Sequence, residues 1–150
     1  YIKRFMPNHC HNRVSFYCDK ETVIKELLDI FKMENVFTNF VPEPDWKTTP
    51  NEAGEFSKKD PLNDLFPPKF PDGTTDDRWY NWRLENWGTK WDCYEVDIDE
   101  EGDNSFTVTF DTAWSPPENI RYAIRDKYEN DDLSVSWFFD EPGMEVAGYL

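Results

Sequence analysis

The chain has 150 residues, with seven Trp, seven Tyr and twelve Phe, and a formal charge of −15. That length suits one domain with one core, and the aromatic residues supply the apolar area. The charge repels phosphate backbones and anionic lipid, which disfavours nucleic acid and membrane as partners.

In chain order, Arg13 to Cys18 alternates, with Val14, Phe16 and Cys18 on one face, and predicts a short strand. Asp19 is placed to cap a helix over about 20–33, in which Val23, Ile24, Leu27, Leu28 and Phe31 recur at helical spacing. Seven of the eleven prolines fall between Glu34 and about Thr75, so long regular elements are not expected there. The stretch reads as an insertion pinned to the core by Phe37, Phe40, Val41, Leu62, Leu65 and Phe66. Asp76 to Trp87 predicts a short helix with Asp76 and Asp77 in its first turn and Gly88 just past its end.

Trp91 to Ile98 predicts a strand with Tyr94, Val96 and Ile98 on one face. A turn over 101–104 joins it to a strand bearing Phe106, Val108 and Phe110. Ser115-Pro116-Pro117-Glu118 has the form of a capping box, with Ser115 as N-cap, Pro116 at N1 and Glu118 at N3. The helix that follows buries Ile120, Ala123, Ile124 and Tyr128 and ends at Asn130. Leu133, Val135, Trp137 and Phe139 alternate as a core strand broken by Pro142-Gly143, and 145–150 can form an edge strand. With the insertion over about 34–88 set aside, the order is βαββαβ. That is an α+β, ferredoxin-like sandwich spanning 1–150 as one domain. The second face of its sheet is then either exposed or covered by the insertion, with the aromatic residues around Trp79 to Trp91 as the candidates to cover it.

The charge is unevenly spread: residues 1–32 carry +2, 33–91 carry −4 and 92–150 carry −13. Such asymmetry predicts a polarised, acidic surface in the last part of the chain. Cys10, Cys18 and Cys93 are too few for a disulfide framework and fit a reducing compartment. No apolar run reaches the ~18 residues of a membrane span, and no secretory signal pattern is present, so a cytoplasmic location is expected. Met6 offers a natural start with Tyr1 to Phe5 upstream, or the segment is internal to a longer protein.

Several blocks carry a family resemblance. They are Met6-Pro7-Asn8-His9-Cys10-His11-Asn12-Arg13-Val14, Phe40-Val41-Pro42-Glu43-Pro44, Trp79-Tyr80-Asn81-Trp82-Arg83 and Glu85-Asn86-Trp87-Gly88-Thr89-Lys90-Trp91-Asp92. Phe110-Asp111-Thr112-Ala113-Trp114-Ser115-Pro116-Pro117 and Glu141-Pro142-Gly143-Met144 with Ala147-Gly148 follow in order. Together they resemble phage Api-type proteins, which contain the YubB ferredoxin-like domain. The resemblance implies a ferredoxin-like fold and residence in phages, prophages and plasmids of a bacterial host, and it implies no activity. His9 stands where the family's opening motif usually has Trp.

Each chemical candidate has a bland alternative beside it. His9, Cys10, His11 and Cys18 are zinc-ligand types, but their spacing lacks a second ligand pair. Asp97-Ile98-Asp99-Glu100-Glu101-Gly102 resembles the start of a calcium loop, yet Val108 stands where the bidentate acid belongs, which leaves an acidic hairpin. Trp87, Lys90 and Asp92 read either as a ligand loop or as a helix end with a Lys90–Asp92 pair and core-filling indoles. Asp111 and Ser115 stand at a helix N-terminus that could hold an anion, although Ser115 is needed as the cap. No Ser-His-Asp or Cys-His arrangement and no phosphate loop can be assembled, and no cofactor is expected.

Three functions follow. The first is an accessory protein of a phage or mobile element. It binds a host or phage protein of basic surface through an acidic face, in one version by mimicking nucleic acid. The binding residues would be Trp87, Lys90, Asp92, Asp97, Asp99, Glu100, Glu101 and Asp103. The second is a nucleic-acid-binding ferredoxin-like module, with mild basic character from Lys3, Arg4, Arg13, Lys20, Lys25 and Lys32. The third is a metal-assisted enzyme. The sequence does not set the oligomeric state.

Overall fold

The computed structural model describes residues 8–150. Met6, Lys3 and Arg4 lie outside them, so the reading of Met6 as a start and of Lys3 and Arg4 as basic residues is left there. The chain forms β1 (His9–Tyr17), α1 (Glu21–Phe31), α2 (Arg78–Asn86), β2 (Tyr94–Glu100) and β3 (Ser105–Ala113), then α3 (Glu118–Lys127), β4 (Ser134–Glu141) and β5 (Val146–Tyr149). The strands make one sheet in the order β2-β3-β1-β4-β5, and every adjacent pair is antiparallel. This is a ferredoxin-like α+β fold with a five-stranded antiparallel sheet.

Alternation in the central strands builds the core. Val14 and Phe16 of β1 lie opposite Val108 and Phe106 of β3 and opposite Trp137 and Val135 of β4. All but the half-buried Val135 are excluded from solvent. Against them α1 turns Val23, Ile24, Leu27, Ile30 and Phe31, and α3 turns Ile120 and Ile124. Phe16, Phe31, Phe106 and Phe110 meet at ring-centroid distances of 5.1–6.3 Å. Such aromatic pairs add about 0.5–1.5 kcal/mol each beyond the area they bury. One polar group shares this interior. Asn12, 2 % exposed, donates to the Cys10 carbonyl and to Thr112 Oγ1, and accepts from the Trp137 indole at 3.0 Å.

Several helix boundaries differ from the sequence expectation. Lys20, not Asp19, is the N-cap residue of α1, because Asp19 instead accepts from the Tyr17 hydroxyl and, through its carbonyl, from Asn104. Asp76 and Asp77 precede α2 rather than sitting in its first turn. The capping box at Ser115 does not form. Trp114 takes a positive φ of 69°, and the Ser115 hydroxyl donates to the Gly88 carbonyl instead. The helix therefore starts at Glu118 with Pro117 in the cap position. Gly88 does follow α2, with φ of 88° and its N–H on the Arg83 carbonyl. A Cβ there would lie 3.0 Å from the Glu118 nitrogen, so this end of α2 packs tightly on the start of α3.

Strand β2 is also reset. A bulge lies between Tyr94 and Asp97, with Glu95 at φ 53°. The extra residue moves Tyr94 to the opposite face from Ile98, so Tyr94, Val96 and Ile98 do not share one face.

Residues 34–77 hold a single helical turn, Phe37–Asn39, and two isolated bridges, Lys58–Lys69 and Lys69–Thr75. Phe37 is buried, and Phe40 and Val41 pack on the core, as expected. Leu62, Leu65 and Phe66 are not core residues: they are 93, 90 and 52 % exposed. The segment is organised by a cation instead. Arg78 forms an ion pair with the buried Asp76, donates to the carbonyls of Trp46, Thr49 and Pro50, and lies between the rings of Trp46 and Phe70. Ser57 adds a hydrogen bond of 2.6 Å to Asp76. Trp82 and Trp87 join this side of the molecule, edge-on to Trp46 and Phe37, so they extend the helical layer rather than covering the second sheet face.

Substituting Arg78→Ala leaves Asp76 buried and unpaired, at a cost of about 3 kcal/mol. Limited proteolysis should then cut between residues 46 and 75 while amide protection in the sheet persists. Hydrogen bonds from Arg78 hold the Asp76 carboxyl down at about 2. Its contribution is therefore complete above the ordinary carboxylate value and lost as pH falls from about 4 to about 2. The wild-type segment should become protease-sensitive across that window, whereas the Arg78→Ala segment is sensitive at neutral pH.

Candidate functional site

The alternation that buries Val14 and Phe16 puts His9, His11, Arg13, Ser15 and Tyr17 on the other face of β1. Among the described residues no helix packs on that face. The register arranges it in rows across the sheet. One row runs Tyr94, Asp111, His11, Asp140, Ala147. The next runs Asp97, Thr109, Arg13, Phe138, Tyr149. A third runs Asp99, Thr107, Ser15, Ser136.

In the first row His11 Nδ1 lies 2.5 Å from an Asp111 carboxylate oxygen. A carboxylate only accepts, so the proton sits on His11 Nδ1. His9 Nδ1 lies 2.6 Å from the Tyr94 hydroxyl, and that hydroxyl reaches the Thr112 carbonyl at 3.5 Å. Burial pushes the Tyr94 phenol up to about 12, so it stays protonated. In the second row the Arg13 guanidinium stands 5.8 Å from the centre of the Phe138 ring. Among the described residues it has no ion-pair partner. A depression of about 350 Å³ lies on one side of Arg13, between Glu95, Asp111 and Asp140. A second, of about 310 Å³, lies on the other side, between Asp99, Phe138 and Tyr149. The face thus offers carboxylates for cationic groups, aromatic rings for flat or cationic groups, and one guanidinium for an anion.

The residues singled out from the sequence do not converge on one site. Asp97 and Asp99 belong to the open face. Glu100 pairs with Lys32 at 2.7 Å, and Glu101 accepts from Thr107. Asp103 lines a groove beside α1 on the helical side. The acids of 97–103 therefore do not gather as calcium ligands. Trp87 is buried and gives its indole proton to the Val41 carbonyl. Asp92 accepts from the backbone amides of Val36, Phe37 and Cys93, and Lys90 lies over the Trp91 ring, so the two do not pair. Burial raises the Asp92 carboxyl despite those hydrogen bonds. Trp87 and Asp92 are spent on architecture.

His9 and His11 point away from Cys10 and Cys18, which lie on the opposite face of β1. Among the described residues no group of three or more His, Cys, Asp or Glu is arranged to hold a metal. Burial pushes the Cys10 thiol up to about 11 and raises Cys93 further, which keeps both from acting as thiolates. Among the described residues no helix is long and apolar enough to cross a membrane.

The His11–Asp111 contact, Phe138, Asp140 and Tyr149 were not anticipated, and Arg13 was read only as part of a mildly basic N-terminal stretch. Alternation in β1 could have placed His11 and Arg13 outward, but their partners lie about a hundred residues away in sequence and need the register.

Nitrogen-detected NMR of the neutral protein should show His11 with its proton on Nδ1, the less common tautomer. Asp111→Asn should return it toward Nε2 while leaving the His9 signals in place.

Three comparisons bear on this architecture. The chain is similar to the uncharacterized protein YubB of Escherichia coli strain K12, 34% identical over 71 residues. The match covers 47% of this chain and 48% of that protein, so the chain spans about half the length of that relative. A crystal structure of a protein api92 from Yersinia pseudotuberculosis superposes with a TM-score of 0.43 at 17% identity, over 53% of this chain and 27% of that one. Residues 90–150, the segment that supplies β2, β3, α3, β4 and β5, match the family described as a ferredoxin-like domain in Api92-like protein.

Proposed function

We propose that the chain is an accessory protein of a phage or mobile element that binds a host or phage protein of basic surface. It acts through the open face of its sheet, without catalysis. One observation carries this reading. Glu95, Asp97, Asp99, Asp111 and Asp140 share a solvent-facing surface with Phe138, Tyr17 and Tyr149, the two tyrosines 51 and 69 % exposed. Aromatic anchors surrounded by one sign of charge are the usual makings of a steered, specific interface. The mobile-element setting rests on the ordered blocks that resemble Api-type proteins, and it implies the cytoplasm of a bacterial host. We read residues 1–150 as one ferredoxin-like unit, with about 34–88 inserted between its first helix and second strand.

A second reading has its own observation. Arg13, Tyr17, Phe138 and Tyr149 sit on the sheet face that related folds use to stack RNA bases. The same five carboxylates oppose phosphates there, which ranks it second.

The two readings separate in one experiment. Capture from bacterial lysate at low salt should retain a basic protein on the wild-type chain. An Asp97→Asn/Asp99→Asn/Asp140→Asn variant should hold it roughly tenfold more weakly, as exposed carboxylates are worth up to about 1 kcal/mol each. Equal capture by both chains refutes the acidic-face reading. A mobility shift with single-stranded RNA that is lost on Arg13→Ala would favour the second.

A further inference from the structure

The segment anchored by Arg78 ends in an apolar tip whose exposure the fold does not explain. Leu62 and Leu65 are 93 and 90 % exposed, and Phe66 is 52 % exposed. The tip is nonetheless held in a defined shape. Leu62 N–H donates to the Asp60 carboxylate, Leu65 N–H to the Asn63 side chain, and Phe66 N–H to the Asn63 carbonyl. Behind it stand Lys58, Lys59 and Lys69. Lys58 and Lys69 are direct cross-strand neighbours, exchanging backbone hydrogen bonds at 2.9 and 3.0 Å. Like charges placed so are destabilising unless something neutralises them. Among the described residues none of the three lysines forms an ion pair, although acids outnumber bases in this chain by 31 to 16.

A complementary surface lies elsewhere on the same molecule. A groove of about 550 Å³ runs between α1 and the β2–β3 hairpin. The buried Ile24 and Phe106 form its floor and the partly buried Leu28 its apolar wall, and on its rim Glu21 and Asp103 stand without an ion-pair partner among the described residues, beside Glu100 and Lys25, which pair with Lys32 and Asp29. No residue of the tip lines it, so the two surfaces do not satisfy each other within one chain.

We infer that the chain associates with a second copy of itself, the Leu62–Leu65–Phe66 tip of one molecule entering the acidic-rimmed groove beside α1 of the next. The lysines then face Glu21 and Asp103, which removes the like-charge conflict and covers the apolar tip. Tip and groove are different surfaces of one chain, so reciprocal insertion closes a two-fold pair and one-way insertion propagates into a ring or an open chain. The inference does not depend on the open-face reading, since tip and groove both lie off that face.

Sedimentation velocity over a concentration series at low salt tests it. The wild-type mass should rise above 17.9 kDa as concentration increases, and added salt should lower it. Leu62→Asp/Leu65→Asp should be monomeric, and so should Glu21→Lys/Asp103→Lys. Each variant retains one intact half of the contact, so an equimolar mixture of the two should form a stoichiometric heterodimer and stop there. That outcome cannot arise from misfolding. A wild-type chain that stays monomeric at hundreds of micromolar overturns the inference. So does a mixture that fails to pair, or association that persists in both variants, which would leave the tip to a different protein.

Discussion

Asn12 is the interaction on which the two faces of the sheet depend. It is a buried polar residue in the central strand, and its side-chain amide is satisfied by three elements: its nitrogen donates within β1 and to Thr112 of β3, and its oxygen accepts from the Trp137 indole of β4. A buried amide left without these partners would be costly, so the pairing is tied to one register. A slip by one residue would turn Asn12 outward and bury Arg13. The register that satisfies Asn12 is also the one that sets His11 between Asp111 and Asp140 and sets Arg13 beside Phe138. The surface chemistry of the open face is thus a by-product of a constraint in the core.

The molecule uses two modes of cohesion. The sheet and its helices are held by aromatic and aliphatic burial around Phe16, Phe31, Phe106, Phe110 and Trp137. Beyond Val36, Phe37, Phe40 and Val41, the long segment before α2 buries little apolar area. Arg78 substitutes for a core there, collecting three carbonyls, one carboxylate and two aromatic rings around a single guanidinium. A planar group with five donors suits this task in a way a lysine could not. It also explains why the segment can expose Leu62 and Leu65 without unfolding: its order does not rest on them.

The sequence disclosed what period and local chemistry control. Alternation at Val14 and Phe16, at Phe106, Val108 and Phe110, and at Val135 and Trp137 located the central strands and the face they bury. The spacing of Val23, Ile24, Leu27 and Phe31 located α1, and Gly88 marked the end of α2. Features decided by distant partners were not legible. Ser115 had the composition of a cap, but its hydroxyl was claimed by the Gly88 carbonyl, 27 residues away in sequence. Tyr94 changed faces because of a bulge that its own residue pattern does not announce. Leu62, Leu65 and Phe66 look apolar enough for a core, and nothing in their own pattern tells that the Arg78 network orders the segment without them. For the candidate site the acids could be counted but not sorted between faces. Asp97 and Asp99 went to the open face while Glu100 and Asp103 went to the groove.

The bulge at Glu95 also makes the two margins of the sheet unequal. On β2 the left-handed residue interrupts the ladder of amide and carbonyl groups and bends the strand, which blunts that border against pairing with a foreign strand. On β5 the four residues run without such an interruption beside β4. Among the described residues the two margins therefore differ in backbone regularity: the ladder is broken at Tyr94–Asp97 and unbroken along Val146–Tyr149.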